Sequence, residues 1–177
     1  MKWLKIVVFL YITITMYADC KNYTKHKRWE QISNQRIFSV SGLIHHKNGF
    51  LIVHDNKRDN QPRISFFKNN KISPLIWPDS SLPYDLEAIS IIPSFKNQYI
   101  LMESTGKCYK IKIEQRNNQI TLMNIFQLET NEGMNLEGCI IVKGNFGYKI
   151  MYGDRGSDLR KSTLFIGDFN PINNRIT

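Results

Sequence analysis

The chain uses one phrase three times. FSVSGLIHHKNGFLIVHDNK begins at Phe38, YDLEAISIIPSFKNQYILMESTG at Tyr84 and MNLEGCIIVKGNFGYKIMYGDRG at Met134. With Gly42, Ala88 and Gly138 in one column, the repeats stand 46 and 50 residues apart. A period of this size marks stacked supersecondary units, so any local structure assigned to one unit must suit all three. Each unit opens on an apolar strand (SGLI, LEAISII, LEGCIIV). A second strand follows (GFLIVHD, QYILMES, GYKIMYGD) and carries an acidic residue near its end: Asp55, Glu103 or Asp154. The third strand is PRISFFK, CYKIKIE or TLFIGDF, and each runs into an Asn-Asn pair, at 69–70, 117–118 and 173–174. Asparagine tolerates the positive φ that a tight hairpin demands, so a fourth strand folds back there. KISPLIW and QITLMNIFQL supply it in two units, and the third unit holds its first residues. Aromatic residues make up 12% of the chain and no Ala-rich or Leu-rich window competes, which favours strands throughout.

Four antiparallel strands in 40 to 50 residues is the size of a β-propeller blade. The expectation is an all-β chain forming a partial β-propeller of about three four-stranded blades, at residues 38–84, 85–134 and 135–177, the third truncated. Residues 21–37 precede them, and WEQISNQRIF at 29–38 reads as an outer strand that would close a ring against a further blade. Propellers close with four to eight blades, so the chain reads as part of a ring. An open or sandwich-like β-domain is the alternative. Uncovered blade faces and strand edges predict self-association if the chain is this short.

Residues 1–20 are of another kind. MKWLK is basic, IVVFLYITIT is a short apolar run and MYADC offers small residues for cleavage, the pattern of a secretory signal peptide. The run is too short to span a bilayer, which takes about 20 apolar residues. An exported protein, periplasmic or extracellular and without a stable membrane anchor after cleavage, is the expectation; lipidation at Cys20 is the lesser alternative. Net charge is +9, and loss of residues 1–20 removes Lys2, Lys5 and Asp19 to leave +8. Such a surface attracts acidic or phosphorylated ligands. A genome-wide preference for Lys, Asn and Ile accounts for it equally, and no basic stripe with interleaved aromatics suggests nucleic acid. Cys108 and Cys139 could pair in an oxidising compartment or remain buried thiols.

Glu87 and Glu137 share a column at the start of the first strand, where side chains can face the propeller axis. With Asp85 and Asn135 they form an oxygen-rich group that suits a hard cation such as Ca2+, although calcium takes six to eight oxygens. Asp55, Glu103 and Asp154 form a second column, with Arg155, Arg58 and Lys57 nearby to meet a phosphate or carboxylate. Hydrogen bonding to blade amides and ordinary turn chemistry are the competing readings of these residues. His45 and His46 are adjacent on a strand and point to opposite faces. His54 beside Asp55 is a candidate base, but neither Ser41 nor Ser104 sits in a GxSxG elbow, so the catalytic residues are unknown. The sequon at Asn22 matters only in a eukaryotic secretory pathway.

SGL (41–43) with HDN (54–56), DLEAI (85–89) with ES (103–104) and NLEG (135–138) with DRG (154–156) resemble the six-bladed propellers of the phytase-like or esterase-like secreted family, and the related SdiA-regulated propellers. The likeness covers about residues 38–170, roughly the N-terminal half of such a domain. It implies binding or metal-assisted hydrolysis of small phosphoric or carboxylic esters in the axial channel, with Glu87 and Glu137 as the metal candidates. A non-catalytic propeller that binds a ligand or a protein, and an inactive truncated gene product, stand beside that reading.

Overall fold

The structure, a computed structural model, describes residues 31–114 and 116–177. Twelve strands lie in it: β1 (Gly42–His46), β2 (Gly49–Val53), β3 (Ile64–Lys68), β4 (Lys71–Pro74), β5 (Leu86–Ile91), β6 (Gln98–Glu103), β7 (Lys107–Ile113), β8 (Ile120–Gln127), β9 (Leu136–Gly144), β10 (Gly147–Asp154), β11 (Thr163–Asn170) and β12 (Arg175–Ile176). They form three four-stranded antiparallel meanders, β1 to β4, β5 to β8 and β9 to β12. The first strands of the meanders lie side by side, β1 against β5 and β5 against β9. The chain is therefore all-β, with three sheets arranged as propeller blades and innermost strands β1, β5 and β9. Among the described residues no helix is long and apolar enough to cross a membrane.

Gly42 and Ala88 of the repeat column explain how closely β1 and β5 approach. A Cβ on Gly42 would meet the Ala88 Cα at 3.2 Å and a Val53 methyl at 3.0 Å. Two cores then form, one in each gap between sheets. Leu51, Val53 and Ile64 pack on Ile89, Leu101 and Ile111 between the first and second sheets. Ile100, Met102 and Cys108 pack on Ile141, Ile150 and Tyr152 between the second and third. The alternation of the strands makes this possible, since β6 sends Tyr99 and Leu101 to one side and Ile100 and Met102 to the other.

The three asparagine turns differ in detail. Both Asn69 and Asn70 have positive φ (51° and 57°), as a two-residue hairpin needs. In the other two pairs only the second asparagine does, Asn118 and Asn174, and both amides close wider i→i+4 turns on Glu114 and Asn170.

Within the segment read as a ring-closing outer strand, the described part pairs with no strand of this chain. Residues 31–35 form no strand and Arg36–Phe38 form a single 3-10 turn. A strand needs a partner edge, and Arg36, the Ile37 carbonyl and the adjoining Ser39 instead bind Asp55 and Asn56, just after β2. The signal-peptide reading of 1–20, the sequon at Asn22 and residues Trp29 and Glu30 lie outside the described residues.

Cys108 and Cys139 are free thiols in the second core. Cys108 is fully buried and its thiol is pushed well up by that burial. Cys108 is therefore expected to resist Ellman's reagent in the native chain and to react on unfolding in urea. Native reactivity at the rate of a free thiol would show that the gap between the second and third sheets opens.

Candidate functional site

The acidic columns gather at one end of the sheets, where β1, β5 and β9 begin and β2, β6 and β10 finish. Both inner strands that carry a glutamate carry it on a β-bulge. In β5, Leu86 pairs with Glu103 and Ala88 with Met102, so Glu87 is the extra residue. In β9, Leu136 pairs with Asp154 and Gly138 with Gly153, so Glu137 is the extra residue. A bulge disrupts the ladder locally, re-aims its side chain and shifts the parity of the strand beyond it, so that Leu86 packs in the first core and Ala88 in the second. Leu86 and Ala88 consequently stay buried while Glu87, between them, stands half-exposed.

The second column turns inward. Glu103 is 5% exposed and accepts the Tyr84 amide (2.7 Å), the Tyr109 hydroxyl (2.5 Å) and the Thr105 hydroxyl (3.2 Å). Asp154 is 3% exposed, accepts the Asn135 amide at 3.0 Å and pairs with Arg160. In both blades the carboxylate holds a residue nineteen positions earlier, at the entrance to its own inner strand. Asp55 repeats the spacing with a side chain: Arg36, again nineteen positions earlier, donates to it twice at 2.9 Å. The Arg36 guanidinium holds the Asp55 carboxyl below its usual range against the opposing effect of burial. Of the three, Asp55 alone stays near the surface.

Cations interleave with the remaining acids. Lys57 pairs with Asp85 at 2.9 Å and sits over the Tyr84 ring. Arg155 pairs with Glu137 at 3.2 Å, and the Asn135 amide donates to the same glutamate oxygen at 2.8 Å. Among the described residues Glu87 has no such hydrogen bond or ion pair. Burial, followed by the charges of Glu137, Asp85 and Asp55, raises its pKa from 4.5 to about 7, with Lys57 opposing. Two clefts flank the acids. One, about 430 Å³, is lined by Arg36, Asp55, Lys57, Arg58 and Gln61; the other, about 590 Å³, by Arg155, Ser157, Arg160 and Lys161. Both volumes suit a small ligand.

Ser41, Ser104 and His54 are all engaged in hydrogen bonds. Ser41 Oγ lies 2.5 Å from the Leu86 carbonyl and ties the first sheet to the second. Ser104 Oγ donates to Asp85 at 2.9 Å. His54 is fully buried: Nδ1 donates to the Ser39 carbonyl at 2.7 Å, which leaves Nε2 to accept the Ser65 hydroxyl at 2.8 Å. Burial lowers its pKa, so it is a neutral structural imidazole rather than the base its sequence neighbour suggested. Among the described residues no group of three His, Cys, Asp or Glu side chains is arranged to hold a metal ion. Glu87 and Glu137 together supply only part of a calcium shell, so the rest would come from ligand or water oxygens.

Two cations escaped sequence reasoning. Arg36 lies in a segment read as a strand, yet the nineteen-residue spacing shared with Tyr84 and Asn135 was present as a signal. Arg63, 3% exposed, donates to the carbonyls of Pro83, Arg58 and Gln61 and braces the loops that bear Lys57 and Tyr84. No sequence pattern marks it. Together the fold and this end of it define part of a β-propeller with a mixed-charge mouth. Comparison of the chain with family models, curated proteins and solved structures finds no match to any of them.

Proposed function

We propose that the mouth formed by the loops at the start of β1, β5 and β9 binds a small anionic ester, phosphoric or carboxylic, and that Glu87 is its acid. The observation that carries this reading is the pair of matching bulges that present Glu87 and Glu137 at one end of adjacent inner strands, beside Lys57 and Arg155. An anionic group arriving there exchanges its charge with the carboxylates now paired to Lys57 and Arg155. Glu87, which keeps its proton up to about pH 7, donates a hydrogen bond to an ester oxygen and can pass the proton to a leaving alkoxide. Occupied Ser41 and Ser104 leave water as the attacking group in hydrolysis. Were a calcium ion held there instead, Glu137 and an ionised Glu87 would be its protein ligands, and the ion would take the place of the Glu87 proton in polarising the phosphoryl or acyl oxygen.

The occupied hydroxyls also favour a second reading, a propeller that binds the same anions without turning them over. Turnover of 4-nitrophenyl phosphate and 4-nitrophenyl acetate, with calorimetric titration of inorganic phosphate, separates the two. Hydrolysis that falls at least about a hundredfold in Glu87→Gln, with KM raised about tenfold in Arg155→Ala, is the expected result. Phosphate binding without turnover supports the second reading. Turnover unchanged in Glu87→Gln removes Glu87 from the site.

A further inference from the structure

The opposite end of the sheets carries a different charge. There lie the turns joining first to second strands and third to fourth, and each sheet contributes three cations. The first sheet brings Lys47, Lys68 and Lys71. The second brings Lys96, Lys112 and Arg116, and the third Lys143, Lys149 and Arg175. Among the described residues the acids against them are Glu114 and Asp168, paired with Lys112 and Lys149. These ends coincide in space, since Lys47 donates to Asn118 in the neighbouring sheet and Lys143 to Ser94. Cations lie at both ends, as a compositional preference for lysine would place them, and it is the acids that differ. Here the acids are concentrated at the mouth and almost absent from the turn end. Lys96, Lys112 and Arg116 also line a cleft of about 500 Å³.

Apolar tips project from the same end. Phe146, at the β9–β10 turn, is wholly exposed, and Ile172, at the β11–β12 turn, is 81% exposed. Those turns are neighbours on one sheet, so the two side chains stand about 10 Å apart in the direction of strand pairing. A large apolar side chain at the tip of a turn gains nothing in water. On an end that also carries these cations, it matches an interface with an apolar layer beneath anionic headgroups.

We infer that the turn end is a peripheral docking surface for an anionic lipid bilayer, with Lys and Arg side chains held by headgroups and Phe146 and Ile172 entering the headgroup boundary. The two parts divide the work. Charge supplies long-range attraction that salt screens, and the tips supply a short-range contact that salt does not.

Flotation of the full chain with vesicles tests it, comparing pure phosphatidylcholine with phosphatidylcholine doped with phosphatidylglycerol. The apolar run at residues 6–15 would enter both kinds of vesicle, so the readout is the difference between them. The expected result is binding to anionic vesicles at least about tenfold stronger than to neutral ones, abolished in molar salt. The triple variant Lys71→Glu, Arg116→Glu, Lys143→Glu should erase the difference. Phe146→Ser with Ile172→Ser should weaken anionic-vesicle binding about tenfold while leaving the unfolding midpoint unchanged. Lys161→Glu, a charge change at the opposite end, should leave binding as it was. Equal binding to both vesicles, an unaffected triple variant, or capture by DNA with none by anionic vesicles would overturn the proposal.

Discussion

Glu103→Ala is expected to destabilise the chain by about 3–5 kcal/mol, the range seen when one member of a buried charged network is removed. Three losses combine. The Tyr109 hydroxyl, on a side chain only 1% exposed, is left without its acceptor. The Tyr84 amide loses the bond that sets the entry to β5. Arg63, buried among carbonyls, loses the lesser of two carboxylate charges, after that of Asp59, that oppose the lowering of its pKa by burial. Glu103→Gln keeps an acceptor oxygen and the side-chain volume, so it should cost less, about 1–2 kcal/mol. Urea unfolding followed by tryptophan fluorescence at pH 7 measures both. Equal losses below 1 kcal/mol would show that these bonds do not hold the blade.

Glu87→Gln should have the opposite sign above neutrality. A carboxyl raised from 4.5 to about 7 binds its proton more tightly in the folded chain than in the unfolded one. Between those values the native state carries the extra proton, so its stability falls as pH rises, and the contribution present below pH 4.5 is gone above pH 7. The full difference corresponds to about 3 kcal/mol, at about 1.4 kcal/mol per pH unit. Solvent at this half-exposed group reduces it to about 1–2 kcal/mol. The glutamine variant should match the parent near pH 4.5 and exceed it by that amount at pH 8. Parallel stability profiles for the two proteins would show that Glu87 is not crowded by its neighbours. A variant that gains stability and loses turnover is what a carboxylate retained for function predicts.

These two glutamates show how far the candidate site could be read from residue order. Glu87, Glu103, Glu137 and Asp154 all stood in columns of the repeat, and all four occupy the same end of the fold. Which of them face solvent was not legible. Strand alternation sets side-chain direction by parity, and the bulges at Glu87 and Glu137 reset that parity with one extra residue each. The partners that silence a side chain also lie far along the chain. Ser41 meets the Leu86 carbonyl forty-five residues later and Tyr99 meets His46 across the first core. His54 had Asp55 as its sequence neighbour, yet its ring nitrogens bind Ser39 and Ser65.

By itself the sequence determined the three units, the order of their strands and the position of each asparagine turn, because these depend on local periodicity and on backbone preferences carried by single residues. It also placed an acidic residue near the end of every second strand. Tertiary structure decided which acids became internal braces and which stayed at the mouth, because burial depends on the neighbouring sheet. It likewise set a basic end against a mixed-charge one: charges hundreds of atoms apart in the chain collect only when three meanders stack with like ends together.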